Sequence, residues 1–111
     1  MNSRTSRLNK FEPGKIDSRR RALLDDITAD TADTVHMTGR KRLSDRVMDA
    51  ISEVPRQEFV KPEDAALAYA NRPLGIGHGQ TISQPFIVAL MSDLLELEDH
   101  HRVLEVGTGS G

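Results

Sequence analysis

Near the end of the sequence runs Val103-Leu104-Glu105-Val106-Gly107-Thr108-Gly109-Ser110-Gly111. Its β-branched, mostly apolar first part predicts a short strand over 103–106. The alternating glycines then let the backbone turn sharply off that strand and approach a ligand without interference from a Cβ atom. A strand followed by such a turn opens a doubly wound α/β sheet, in which the next helix would cover the strand. A parallel strand is buried between neighbours, and no later segment supplies one here. The chain is therefore expected to be the front part of a longer protein.

A second glycine-rich stretch, Gly75-Ile-Gly-His-Gly-Gln-Thr-Ile-Ser-Gln-Pro85, precedes it. Glycine weakens ordinary helices and strands, so three of them need a reason beyond connection. Pro85 suits the first turn of a helix, where its missing N–H costs nothing. A helix is expected over about 84–96, with Ile87, Val88, Leu90, Met91, Leu94 and Leu95 as its core face and Ser92, Asp93 and Glu96 opposite. Upstream, Ser44 is a good cap, Leu43 and Met48 sit at staple positions, and Pro55 makes Val54 a boundary, which predicts a helix over 45–53. A short helix at about 64–70 follows from its alanines. Residues 22–39 read as a weak or frayed helix, because Thr28, Thr31, Thr34 and repeated aspartates oppose it, with Gly39 at its end.

Charge is unevenly placed along the 111 residues, whose formal net charge is −2. Arg4, Arg7, Lys10, Lys15, Arg19, Arg20 and Arg21 face only Glu12 and Asp17 within the first 21 residues. Such an arm can touch nucleic acid or acidic surfaces. Its lack of large apolar residues instead predicts a disordered or weakly helical extension over 1–38, with no nucleic-acid partner. Cysteine is absent, which excludes disulfides and thiolate metal sites. No run approaches the ~20 apolar residues that span a bilayer. The expectation is a soluble cytoplasmic protein.

The glycine turn at 107–111 alone fits a dinucleotide enzyme, a methyltransferase or a merely tight turn. A phosphate-binding loop would need Lys-Ser/Thr after the glycines. Glu105, two places before Gly107, makes the turn resemble the first motif of S-adenosylmethionine-dependent methyltransferases. Upstream, Val54-Pro55-Arg56, Phe59-Val60, Leu67-Ala68-Tyr69, Arg72-Pro73-Leu74 and Ile76-Gly77 lead to Gly79-Gln80-Thr81-Ile82-Ser83-Gln84-Pro85. In that order, with the glycine turn behind them, these segments resemble the protein-L-isoaspartate O-methyltransferase family. The resemblance covers roughly residues 43–111. Gly75 stands where many relatives have proline.

The resemblance implies a class I methyltransferase domain over 39–111, incomplete and cut after its first strand. It also implies transfer of the methyl of S-adenosylmethionine to the α-carboxylate of L-isoaspartyl residues in damaged proteins. The ester then closes to a succinimide, which reopens partly as normal aspartate. A carboxylate is already ionised at neutral pH, so no general base is needed. The enzyme must instead align oxygen, methyl carbon and sulfur.

By the same match Ser83 is the catalytic serine, in a positioning role, although two residues before Pro85 it also reads as a helix cap. Thr81, Glu105, Gly107, Thr108, Gly109, Ser110 and Gly111 are the expected cofactor contacts, and Gly79, Gln80 and Ile82 the expected substrate contacts. Thr81 reads equally as a turn hydroxyl, and Glu105 as a solvated charge. His78 has no base to be, His100 and His101 read as solvated, and no metal is expected. The complete protein is expected to be a monomer acting on isoaspartyl proteins and peptides, while the fragment itself is expected to be inactive. The alternatives are an inactive remnant or binding module, or another S-adenosylmethionine-dependent methyltransferase.

Overall fold

The computed structural model describes residues 13–111, so Arg4, Arg7 and Lys10 of the basic arm lie outside the described residues. Helix α1 spans Pro13–Asp33 and α2 spans Val35–Thr38, closed at Gly39, whose N–H donates to Val35 O. Helix α3 spans Asp45–Glu53, and two 3-10 turns, Arg56–Phe59 and Pro62–Leu67, follow it. Strands β1 (Leu74–Gly77) and β2 (Gln80–Ile82) form an antiparallel hairpin, and α4 spans Pro85–Leu94. The described part is thus a mix of helices and one small two-stranded sheet.

Helix α1 differs most from the sequence reading. It starts at Pro13 rather than near 22, and it is not frayed. Ile16, Leu23, Ile27 and Thr31 fall on one stripe and are buried. The threonines do not break the helix, because their hydroxyls turn back onto it. Thr28 Oγ1 donates to Leu24 O at 2.9 Å, Thr31 Oγ1 to Ile27 O at 2.7 Å and Thr34 Oγ1 to Asp30 O at 2.7 Å. That internal bonding satisfies each hydroxyl without opposing the backbone ladder. Residues on both sides of the expected boundary at 38/39 share one core, with Ile16, Leu23 and Ile27 packed among Leu43, Ala68, Tyr69, Phe86 and Ala89.

This packing carries a prediction. Leu23 is only 1% exposed, and truncating a leucine in such a site typically costs ~2–5 kcal/mol. Leu23→Ala should therefore lower the urea midpoint strongly. A change within ~0.5 kcal/mol, as at a surface site, would mean that α1 does not dock.

Helix α3 matches its predicted bounds. Ser44 caps it by accepting from Val47 N–H at 3.3 Å. Buried Leu43 and half-buried Met48 both join the core, as the staple positions require. The 64–70 segment is a 3-10 turn over Pro62–Leu67 rather than an α-helix.

Helix α4 ends at Leu94, and its buried side is rotated from the expected one. Pro85, Phe86, Ala89 and Asp93 are buried, whereas Met91, Leu94 and Leu95 are exposed. Asp93, expected on the polar face, is only 6% exposed. Two neighbours explain it. Asp93 Oδ1 accepts the Ser44 N–H at 2.8 Å, and Arg40 Nη1 lies 3.5 Å from Oδ2. A buried carboxylate held by a backbone donor and a guanidinium keeps much of what water would have given it.

The expected strand over 103–106 is not formed. Leu104 is 89% and Val106 90% exposed, and no strand among the described residues pairs with this segment. Its sequence favours extended backbone, but a strand exists only where a neighbour completes the ladder. The glycine stretch differs in the other direction. No element is assigned to it from the sequence, and it forms a hairpin. Leu74 faces Ile82 and Gly75 faces Thr81, with a register irregularity before the Gly77–Gln80 pair. His78 and Gly79 form the two-residue turn with φ of 56° and 67°, the positive angles that a tight, right-twisted hairpin requires.

Candidate functional site

The hairpin's second strand, its exit into α4, the turn at Arg56–Phe59 and the glycine run at 107–111 surround one cavity of about 370 Å³. Gln80, Thr81, Ile82 and Ser83 form one wall, while Glu105 and every residue from Gly107 to Gly111 form the facing one. Sequence-expected contacts separated by about twenty residues thus meet across a single space. Gly79 alone among them does not line it, because it occupies the hairpin turn.

Local geometry explains how these residues are held. Pro85 opens α4, and Asn71 Oδ1 accepts the Phe86 N–H at 3.1 Å while Asn71 Nδ2 donates to Asp30 Oδ2 at 2.7 Å. Asn71 therefore fastens the first turn of α4 to α1. The capping residue of α4 is Gln84, with no side-chain cap. Ser83 lies one position before it and is exposed at the cavity. The capping alternative for Ser83 is not realised, and its hydroxyl has no protein hydrogen bond among the described residues.

The glycine run folds back towards the opposite wall. A Cβ on Gly109 would lie 3.6 Å from Ile76 Cδ1, in ordinary contact. One on Gly111 would stand 2.7 Å from Phe59 Cε1, closer than side chains tolerate. Among the described residues the only hydrogen bond donated by a backbone N–H of this run is Gly111 N to Thr108 O, at 3.4 Å. The N–H groups of Gly107, Thr108, Gly109 and Ser110 remain available beside the cavity. Such a row favours electron-rich ligand atoms, and the Glu105 carboxylate beside it accepts hydrogen bonds.

Several lining residues had no assigned role in the sequence. Leu23 of α1 reaches the cavity from the segment taken as a weak extension, and no local signal could have shown it. Tyr69 lines it too. Its hydroxyl donates to Gln57 Oε1 and accepts from Arg20 Nη2 at 2.9 Å. Arg56 is the most distinctive addition. Its Nε–H donates to Ala68 O at 2.6 Å and its Nη2–H to Ser83 O at 2.7 Å. Burial pushes its pKa down, and the neighbouring Tyr69 acts in the opposite direction. The Val54-Pro55-Arg56 run marked this position in the sequence, without its purpose.

The histidines lie elsewhere. His78 occupies the exposed hairpin turn and does not line the cavity. The turn at 98–101 brings ligand atoms of Glu98, His100 and His101 within 4.8 Å of one another, a proximity that the sequence reading missed. All three side chains are exposed, and His101 Nδ1 already accepts the Glu98 N–H at 3.1 Å. No helix among the described residues is long and apolar enough to cross a membrane.

Comparison with known proteins agrees with the motif order. The model of the family described as protein-L-isoaspartate(D-aspartate) O-methyltransferase matches residues 31–111. Protein-L-isoaspartate O-methyltransferase 2 of Polaromonas sp. is 56% identical over 89 residues, covering 80% of this chain and 42% of the relative. The enzyme of the same name from Syntrophobacter fumaroxidans is 51% identical over 92 residues, covering 83% and 37%. Protein-L-isoaspartate O-methyltransferase 1 of Cupriavidus necator is 50% identical over 93 residues, covering 84% and 36%. The chain spans less than half the length of these curated relatives.

Proposed function

Because the chain belongs to the protein-L-isoaspartate(D-aspartate) O-methyltransferase family, we propose that it forms one wall of an S-adenosylmethionine-dependent repair site. The complete reaction moves a methyl group to the α-carboxylate of an L-isoaspartyl residue in a damaged protein. The observation that carries this reading is the meeting of Gln80–Ser83 with Glu105–Gly111 across one cavity.

S-adenosylmethionine, when bound, supplies a methyl group activated by a positively charged sulfur. The residues present fit such a molecule. The unused N–H groups of 107–110 suit its carboxylate and other electron-rich atoms, and Glu105 suits its hydroxyl or ammonium donors. Thr81, Glu105 and Gly107–Gly111 are the proposed cofactor contacts. Gln80 and Ile82, with Gly79 at the hairpin tip, are the proposed peptide contacts. Ser83 offers a hydroxyl that can donate to the acceptor carboxylate and fix its direction. That carboxylate carries no proton to remove at neutral pH, so a cavity whose lining among the described residues offers hydroxyls and no histidine suits the chemistry.

The remaining expectations extend this proposal. Residues 103–106 become the first strand of a Rossmann-like sheet once a neighbouring strand pairs with them, covering Val103, Leu104 and Val106. The complete protein works as a cytoplasmic monomer on isoaspartyl proteins and peptides, and the 111 residues alone are inactive. The test uses a protein that carries these residues and extends to the relatives' length, called the extended protein below. Calorimetric titration with S-adenosylmethionine should give saturable one-to-one binding, and a flat titration would remove the cofactor from the account.

A further inference from the structure

We propose that Arg56 is a positioning residue, whose guanidinium fixes the backbone of Ser83 in the cavity wall. The inference rests on the reading of Ser83 above only for its kinetic consequence; the structural part stands on its own.

The geometry is that of a clamp. One edge of the guanidinium reaches two carbonyls far apart in sequence, Ala68 O through Nε–H and Ser83 O through Nη2–H, at 2.6 and 2.7 Å. Both carbonyls sit where regular structure gives them no partner. Ala68 follows the 3-10 turn Pro62–Leu67, and Ser83 belongs to the two-residue link between β2 and α4. The backbone bond that starts α4 is accepted one residue later, by Gln84 O from Val88 N–H. Among the described residues, Arg56 is the group that hydrogen-bonds the Ser83 carbonyl.

Charge makes the clamp firm. No carboxylate lies within ion-pair distance of Arg56 among the described residues, since the bridges of this chain use Arg20, Arg40, Arg42, Arg46 and His100 instead. A half-buried cation without a counter-ion draws strongly on the dipoles it does touch, here two carbonyl oxygens. Arginine keeps its charge even where burial lowers its pKa. Lysine would keep the charge but, as a single ammonium centre, does not reproduce the planar two-pronged reach.

Two readouts on the extended protein test this. Hydrogen exchange followed by mass spectrometry should show faster exchange in Arg56→Lys over the 80–88 segment, with helix α3 unchanged. In transfer assays Arg56→Lys should lower kcat by about ten-fold, with little change in affinity for S-adenosylmethionine. In a Ser83→Ala background the same substitution should add little further loss, because residues acting as one unit are not additive. Unchanged exchange over 80–88 would overturn the inference, and so would an equal fold-loss in both backgrounds. If Ser83→Ala alone left transfer intact, the role assigned to Ser83 would fail. The exchange result would still decide for or against the clamp. Should the lysine variant not fold, Arg56→Gln gives the same exchange and kinetic comparison without the charge.

Discussion

Replacing Ser83 with alanine is expected to slow methyl transfer to an isoaspartyl peptide in the extended protein by at least ~10-fold, with hardly any loss of stability. The two halves of this expectation come from different observations. Ser83 is exposed at the cavity, and its hydroxyl makes no hydrogen bond to protein among the described residues. Helix α4 is capped at Gln84 rather than Ser83. Removing one exposed hydroxyl should then change the unfolding free energy by no more than ~0.5 kcal/mol. A true cap would cost ~1 kcal/mol or more.

The kinetic loss has another origin. As a methyl passes from a cationic sulfur to a carboxylate, opposite charges neutralise each other. A donor to the carboxylate therefore helps less by stabilising charge than by holding the oxygen in line. The loss should appear in kcat at saturating S-adenosylmethionine. Normal kcat with a lowered melting temperature would show that the serine serves the fold and not the reaction.

Gly109→Val is expected to weaken S-adenosylmethionine binding by roughly 30-fold, without unfolding the extended protein. Gly109 has φ of 69°, in the left-handed region that a β-branched residue enters only under strain of ~2 kcal/mol. Since ~1.4 kcal/mol is ten-fold in affinity, strain of that size accounts for the expected loss. The valine also meets a neighbour, because its Cβ begins 3.6 Å from Ile76 Cδ1 on β1. The strained run can relieve itself only by shifting, and the shift moves the N–H groups of 107–110 away from the cavity. The run is exposed, so the core formed by α1, α3 and α4 should not feel the change. Calorimetry with normal affinity would take Gly109 out of the cofactor contacts.

How far the sequence spoke for itself depended on whether the deciding interaction was local. Helix α3 was fully legible, because Ser44, Leu43, Met48 and Pro55 set its ends within a dozen residues. Motif order singled out Gln80–Ser83, Glu105 and Gly107–Gly111, which line one cavity, whereas Gly79 lies in the hairpin turn outside that lining. Helix α1 was not legible. Its threonine hydroxyls bond within the helix, and its stability comes from Leu23 and Ile27 meeting Tyr69, Phe86 and Ala89 far along the chain. The rotation of α4 was hidden for the same reason, since Asp93 is buried by Ser44 and Arg40 some fifty residues earlier. At 103–106 the local pattern spoke clearly for a strand, yet pairing is a non-local event. Arg56 was visible as a letter in a motif, but its two carbonyl partners were not.

The central claim is that Gln80–Ser83 and Glu105–Gly111 belong to a site that methylates isoaspartate. Its most direct test gives the extended protein S-adenosylmethionine and two isomeric peptides, one with an L-isoaspartyl linkage and the other with normal aspartate. Mass spectrometry then follows the gain of a methyl group with time. The account predicts methylation of the isoaspartyl peptide, little on its aspartyl isomer, and a sharp loss of the product with Ser83→Ala. Equal methylation of both isomers, or none on either while S-adenosylmethionine binds normally, would contradict it.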